Sequence, residues 1–125
     1  MPKTKTKPRV RVKGVSSSKR GGIKYSFKLE GELNISAFVA QQNVNEHLLM
    51  RVPNLITSAE PDLELRSEGA VWIVPVVLTM PGFGSLGQVG QIVVDAQFGH
   101  IIDKESTPCE EIDKKAERLA RKKAL

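Results

Sequence analysis

Apolar and polar residues alternate most regularly over residues 23–29. Ile23, Tyr25, Phe27 and Leu29 share one face there, and Lys24, Ser26 and Lys28 the other. A period of two is that of a strand with one buried face, so a half-buried strand is expected. Arg9-Val-Arg-Val-Lys13 repeats the pattern on a smaller scale, valines against cations. The two segments are expected to pair as a hairpin, with the Gly- and Ser-rich residues 14–22 as a linker or long turn. The period lengthens after Asn34. Ile35, Phe38, Val39, Leu48, Leu49 and Val52 recur at helical spacing and predict a helix over residues 34–52. The polar run 41–45 interrupts that stripe, Asn45 is placed to cap a second short helix, and Pro53 stops it.

Residues 62–66 read as a short strand and 67–70 as a turn. Residues 71–80, VWIVPVVLTM, form the strongest strand pattern in the chain. Near-continuous apolar character predicts a central strand buried on both faces. Pro75 conflicts with that position, because it has no N–H and needs an edge or a bulge. Residues 81–87 turn, 89–96 return as a strand, 97–99 turn again, and 100–102 end the sheet. Thr107-Pro-Cys-Glu110 then opens a helix as a capping box with proline at its first position. Acids near its start and Arg118, Arg121, Lys122 and Lys123 near its end suit the helix dipole. Its apolar stripe is thin: Cys109, Ile112, Ala116 and Leu119. Two destinations stay open for it, a partner's surface contacted through Ile112, Ala116 and Leu119, or solvent.

The expected fold is α+β, a helix packed on a small antiparallel sheet, flanked by a basic N-terminal arm and a C-terminal helix. Three regions follow: a basic flexible arm (1–22), the α+β domain (23–105) and a charged C-terminal helix (106–125). A length of 125 residues suits one such domain. Charge sharpens the division. Residues 1–30 hold ten Lys/Arg and one acid, residues 31–105 three and nine, and residues 106–125 six and four. An acidic body thus carries a basic arm, whose Lys3, Lys5, Lys7, Arg9, Arg11, Lys13, Lys19 and Arg20 suit nucleic-acid phosphates or an acidic partner. No apolar run is long enough for a membrane span, and the basic start lacks the apolar core of a secretory signal. With Cys109 the lone cysteine, no disulfide framework is expected, and a cytoplasmic location is.

Candidate chemistry is sparse. Gly82-Phe-Gly84-Ser-Leu-Gly87 is a GxGxxG, but a dinucleotide site needs a helix after it, and residues 88–95 have strand character. Gly82, Gly84, Gly87 and Gly90 are expected to serve a hairpin loop through positive φ and a bulge. His47 and His100 each lack a nearby ligand triad, so no metal and no cofactor is expected. Asp95, His100 and Asp103 read as a surface turn. Cys109 near a helix start is read as a packed cysteine, since Glu110 and Glu111 oppose a thiolate.

The pattern Trp72-x-Val-Pro-Val, a glycine-rich loop, Gly87-x-Val-Gly-x-Ile-x-Val-Asp-Ala96 and Gly99 resembles small bacterial antitoxin-like proteins encoded beside PIN-type nuclease toxins. It is also similar to the strand–turn–strand end of PepSY-type domains, although Gln97-Phe98 stands where those favour a threonine-containing turn. The resemblance spans residues 45–103. It implies a helix on an antiparallel sheet and a protein partner such as a nuclease, and it carries over no functional residue. The expected function is non-enzymatic binding by an antitoxin-like protein-interaction module. Two alternatives remain: a nucleic-acid-associated protein gripping phosphates through its arm, and a small ligand-binding module using the loop at residues 82–90.

Overall fold

The computed structural model describes residues 9–12, 32–52 and 55–124. In chain order these form β1 (Arg9–Val12), α1 (Ala37–Leu49), β2 (Ile56–Ser58), β3 (Asp62–Arg66), β4 (Gly69–Met80), β5 (Gly84–Asp95), a 3-10 turn (Asp103–Glu105) and α2 (Cys109–Ala124). The class is α+β, with helices packed on a small, mainly antiparallel sheet. The expected strand at residues 23–29 lies outside the described residues.

The twelve-residue β4 is the central strand. β5 runs antiparallel along one edge of it, and β3 and β2 lie end to end along the other. β1 adds outside β3 in parallel, with Arg9 opposite Asp62 and Val12 opposite Leu65. The basic arm is therefore not free throughout. Arg9–Val12 is part of the sheet, paired with β3; the expected hairpin with residues 23–29 lies outside the described residues.

Both faces of β4 are covered, which explains its unbroken apolar run. Trp72, Val74, Val76 and Leu78 join Ile92 and Val94 of β5 beneath both helices. Val71, Ile73 and Val93 form a second buried cluster on the reverse face, with Ile102 against it. Pro75 sits inside this central strand without disrupting it. Its carbonyl accepts from the Ala59 N–H at 2.8 Å, so its ring nitrogen points to the same side. That is the junction between β2 and β3, where three residues (59–61) oppose two (74–75). The missing N–H thus falls at a bulge.

α1 starts where Ser36 Oγ accepts from the Val39 N–H, 3.1 Å away. Ala40, Val44 and Leu48 are its buried stripe, continued by Val52. The apolar face is thus rotated from the expected one, and Phe38, Val39 and Leu49 are exposed. The polar run does not break the helix either. Gln41 Nε2 donates to the Ala59 carbonyl and Asn43 Nδ2 to that of Gly99. Asn45 Oδ1 accepts from Ser58 N–H, so Asn45 caps β2 rather than a second helix. These side chains stitch α1 to the loops at the sheet's margins.

α2 lies on the same sheet face as α1 and runs back along β5. Ile112 and Ala116 are fully buried, and Leu119 reaches Gly87. Ile112 and Ala116 fill the chain's own core, and Leu119 is half-buried beside it. Gly90 makes this approach possible. A Cβ there would stand 3.0 Å from both Ile112 and Thr107. Thr107, expected to cap the helix, is instead bound to β5: its Oγ1 accepts from the Gln91 N–H and its own N–H donates to the Gln91 carbonyl.

Candidate interaction surfaces

The glycine-rich loop is a hairpin turn. Phe83 N–H donates to the Met80 carbonyl at 3.0 Å, and Gly82 and Gly84 take φ of +84° and +77°, the left-handed region glycine tolerates. β5 begins at Gly84, so no helix N-terminus follows to meet a phosphate. Register shifts opposite Val76/Val77 and Leu78/Thr79 bend the hairpin near Gly87 and Gly90. Phe83 projects into solvent at the tip.

Of the arm's cations, Arg9 and Arg11 fall in β1. Lys3, Lys5, Lys7, Lys13, Lys19 and Arg20 lie outside the described residues. Among the described residues no three His, Cys, Asp or Glu side chains converge for a metal. His100 Nδ1 lies 3.4 Å from Asp95 Oδ2 on an exposed turn. No described helix is long and apolar enough to cross a membrane.

The fold brings His47 of α1 to Cys109 at the start of α2, with Sγ 3.6 Å from Nε2. Sixty-two residues separate the two, and neither side chain's spacing foretells the contact. Burial lowers the imidazole pKa below its ordinary 6.5, Arg51 acts in the same direction, and Asp103 opposes them. Burial raises the thiol above its ordinary 9.0, with Arg51 opposing and Asp103 adding to the rise. At neutral pH the pair is therefore a neutral thiol against a neutral imidazole, a packed contact rather than a thiolate nucleophile. Linkage fixes the sign of its effect on folding. Below pH 6.5 the unfolded chain protonates His47 first, so stability falls as pH drops towards the folded value. Above pH 9.0 the unfolded chain loses the Cys109 proton first, so stability falls as pH rises. Urea midpoints measured from pH 5 to pH 10 should show both limbs. His47→Gln should flatten the acid limb and Cys109→Ser the alkaline one; unchanged limbs would remove the pair from the pH response.

The rotated helix leaves a surface that the sequence pattern concealed. Phe38, Leu49 and Met50 are 65%, 82% and 78% exposed on and just beyond α1. Leu55 is also exposed where the chain leads into β2. A groove of about 330 Å³ between α1 and β2 is lined by Leu48, Leu49, Val52 and Ile56, with Asn45, Glu46 and Thr57 on its rim. A second depression, on the other flank of α1, is bordered by His47, Met50 and Arg51. The signal in the sequence was the four-residue spacing Ala40, Val44, Leu48, Val52. Small residues at its first two positions made it less conspicuous than the larger Phe38 and Leu49.

The other surface is polar. Gln88, Gln91, Thr107, Lys104 and Lys115 line a depression of about 580 Å³ between the outer edge of β5, the 3-10 turn and α2. Glu105 stands on its wall, and both its carboxylate oxygens accept from Arg66, at 2.7 and 2.9 Å. Glu64 also holds the same guanidinium, which is kept charged by these bonds. No family model, curated protein or solved structure matches the chain.

Proposed function

We propose that this chain is a non-enzymatic, antitoxin-like protein-interaction module that acts in the cytoplasm and engages its partner through α1. The observation that carries the reading is the apolar ridge of Leu49 and Met50, exposed at the C-terminal end of a helix whose opposite stripe is fully buried. A helix needs one apolar face to pack on its own sheet, and Leu49 and Met50 stand outside that face, beyond the polar Gln42, Asn45 and Glu46. Large exposed side chains beside a groove are the anchors on which interfaces concentrate their energy. The resemblance of residues 45–103 to proteins encoded beside PIN-type toxins makes a nuclease the first partner to test.

The test is co-purification of the tagged chain from its native host, at low and high salt, beside Leu49→Glu/Met50→Glu. A stoichiometric protein partner should survive high salt with the parent chain. Anchors of this kind contribute about 2 kcal/mol each, so the double variant should bind roughly a hundredfold or more weakly. Equal capture by the variant would sink the α1 reading, and a partner-free monomer would sink the module reading altogether.

A further inference from the structure

The polar depression beside α2 has no part in the α1 reading, and its chemistry is different. Its lining includes no apolar side chain. Lys104 enters from the 3-10 turn and Lys115 from α2, and both are exposed. Gln88 and Gln91 lie between them on β5, and Gln88 Nε2 donates to the Gly90 carbonyl. The acid on the wall, Glu105, is already paired with Arg66. Lys122 lies seven residues beyond Lys115, two turns along the same flank of α2, and Arg118 lies between them towards the outer face. Glu117, the one acid in that second half of the helix, falls on the opposite flank. The cations therefore continue past the depression as a row along the helix.

We propose that this groove is a seat for the phosphodiester backbone of a nucleic-acid duplex, with Lys104 and Lys115 straddling one strand and Arg118 and Lys122 extending the contact. An open trough with cations on two walls suits a continuous polyanion better than a lone phosphate, which is held by converging backbone amides or an arginine fork. The lining has no aromatic ring to stack an unpaired base, which favours backbone contact over single-strand binding. No exposed apolar side chain lines the depression to enter a bilayer, so an anionic lipid surface fits less well. The excess of cations in residues 1–30 would add to the same attraction by counterion release.

The test uses the full chain with a labelled duplex of about 20 base pairs, as DNA and as RNA, read by fluorescence anisotropy between about 50 and 200 mM salt. Lys104→Gln/Lys115→Gln is compared with Leu33→Glu/Gln97→Glu, which lowers the net charge by the same amount at exposed positions outside both the groove and the Leu49–Met50 surface. A third chain lacks residues 1–8, ahead of β1. The groove variant should bind at least about tenfold more weakly, and its plot of log affinity against log salt should be shallower by about two. All substituted side chains are exposed, and circular dichroism checks that each chain is folded. Four outcomes overturn the inference: an equal loss in Leu33→Glu/Gln97→Glu, a loss confined to the truncated chain, binding to phosphatidylserine vesicles but not to duplex, or no duplex binding at all. None of them bears on capture of a protein through Leu49 and Met50, so the two readings fail separately.

Discussion

Trp72→Ala should lower the unfolding free energy by about 4 kcal/mol, the usual cost of removing a large aromatic from a core. Trp72 is 4% exposed and stands on β4 between Leu63 and Val94. Its indole N–H also donates to the Ile35 carbonyl at 2.7 Å. That bond ties the entry of α1 to the sheet, and the N–H groups of Asn34 and Ile35 reinforce it by donating to the Ala96 carbonyl. Trp72→Phe keeps most of the ring but leaves the Ile35 carbonyl without its donor, for a loss of about 1–2 kcal/mol. Small domains have only about 5–15 kcal/mol in hand, so the alanine variant should be near the edge of folding at room temperature. Urea unfolding followed by circular dichroism measures both, since Trp72 is the only tryptophan and its fluorescence is lost with it. A loss below about 1 kcal/mol for Trp72→Ala would show that α1 is held independently of the indole.

The second large effect belongs to α2. Ile112→Ala should cost about 3 kcal/mol, because Ile112 is fully buried and packs against the backbone of β5 at Gly90. Ile112→Asp should go further and release the helix, since an unpaired carboxylate at that position would lie in the apolar core. Amide hydrogen exchange should then rise throughout α2 while the β4–β5 pairing stays protected. If α2 were reserved for a partner, both substitutions would change the isolated chain by about 0.5 kcal/mol or less. The two results are far enough apart for one denaturation series to decide.

The strands around β4 were legible because a strand buried on both faces leaves an unambiguous run of branched apolar residues. α2 was legible from its charge gradient and from Pro108. Its destination was not, because a stripe as thin as Ile112, Ala116 and Leu119 packs well only where the opposing surface is nearly bare, and that depends on Gly87 and Gly90 meeting it in space. β2 was missed because three residues beside β4 leave no period to detect. The parallel pairing of β1 with β3 was missed for a different reason: alternation in β1 shows which residues share a face, but not which strand is the neighbour. The α1 stripe was misjudged because side-chain size outweighed spacing. Gln41, Asn43 and Asn45 looked like interruptions although each makes a long-range hydrogen bond that local pattern cannot display. The same limit applies to the candidate surfaces, since neither the ridge on α1 nor the trough beside α2 exists until elements distant in sequence are brought together.

The position of β4 in the chain has a consequence for synthesis. During translation from the N-terminus, β1, α1, β2 and β3 all emerge before the strand on which the sheet is built. The sheet face beneath the Ala40–Val44–Leu48 stripe is incomplete, and the β4-facing edges of β2 and β3 are unpaired, until residues 69–80 have left the ribosome. From then on the order reverses, because β5 is joined to β4 by a tight turn and α2 follows within fifteen residues of β5. Local pairing of this kind is quick, whereas closing β1 onto β3 spans a loop of about fifty residues. The late half of the chain thus sets the template, and the early half, with its core stripe still uncovered, is what a chaperone at the ribosome exit would meet first.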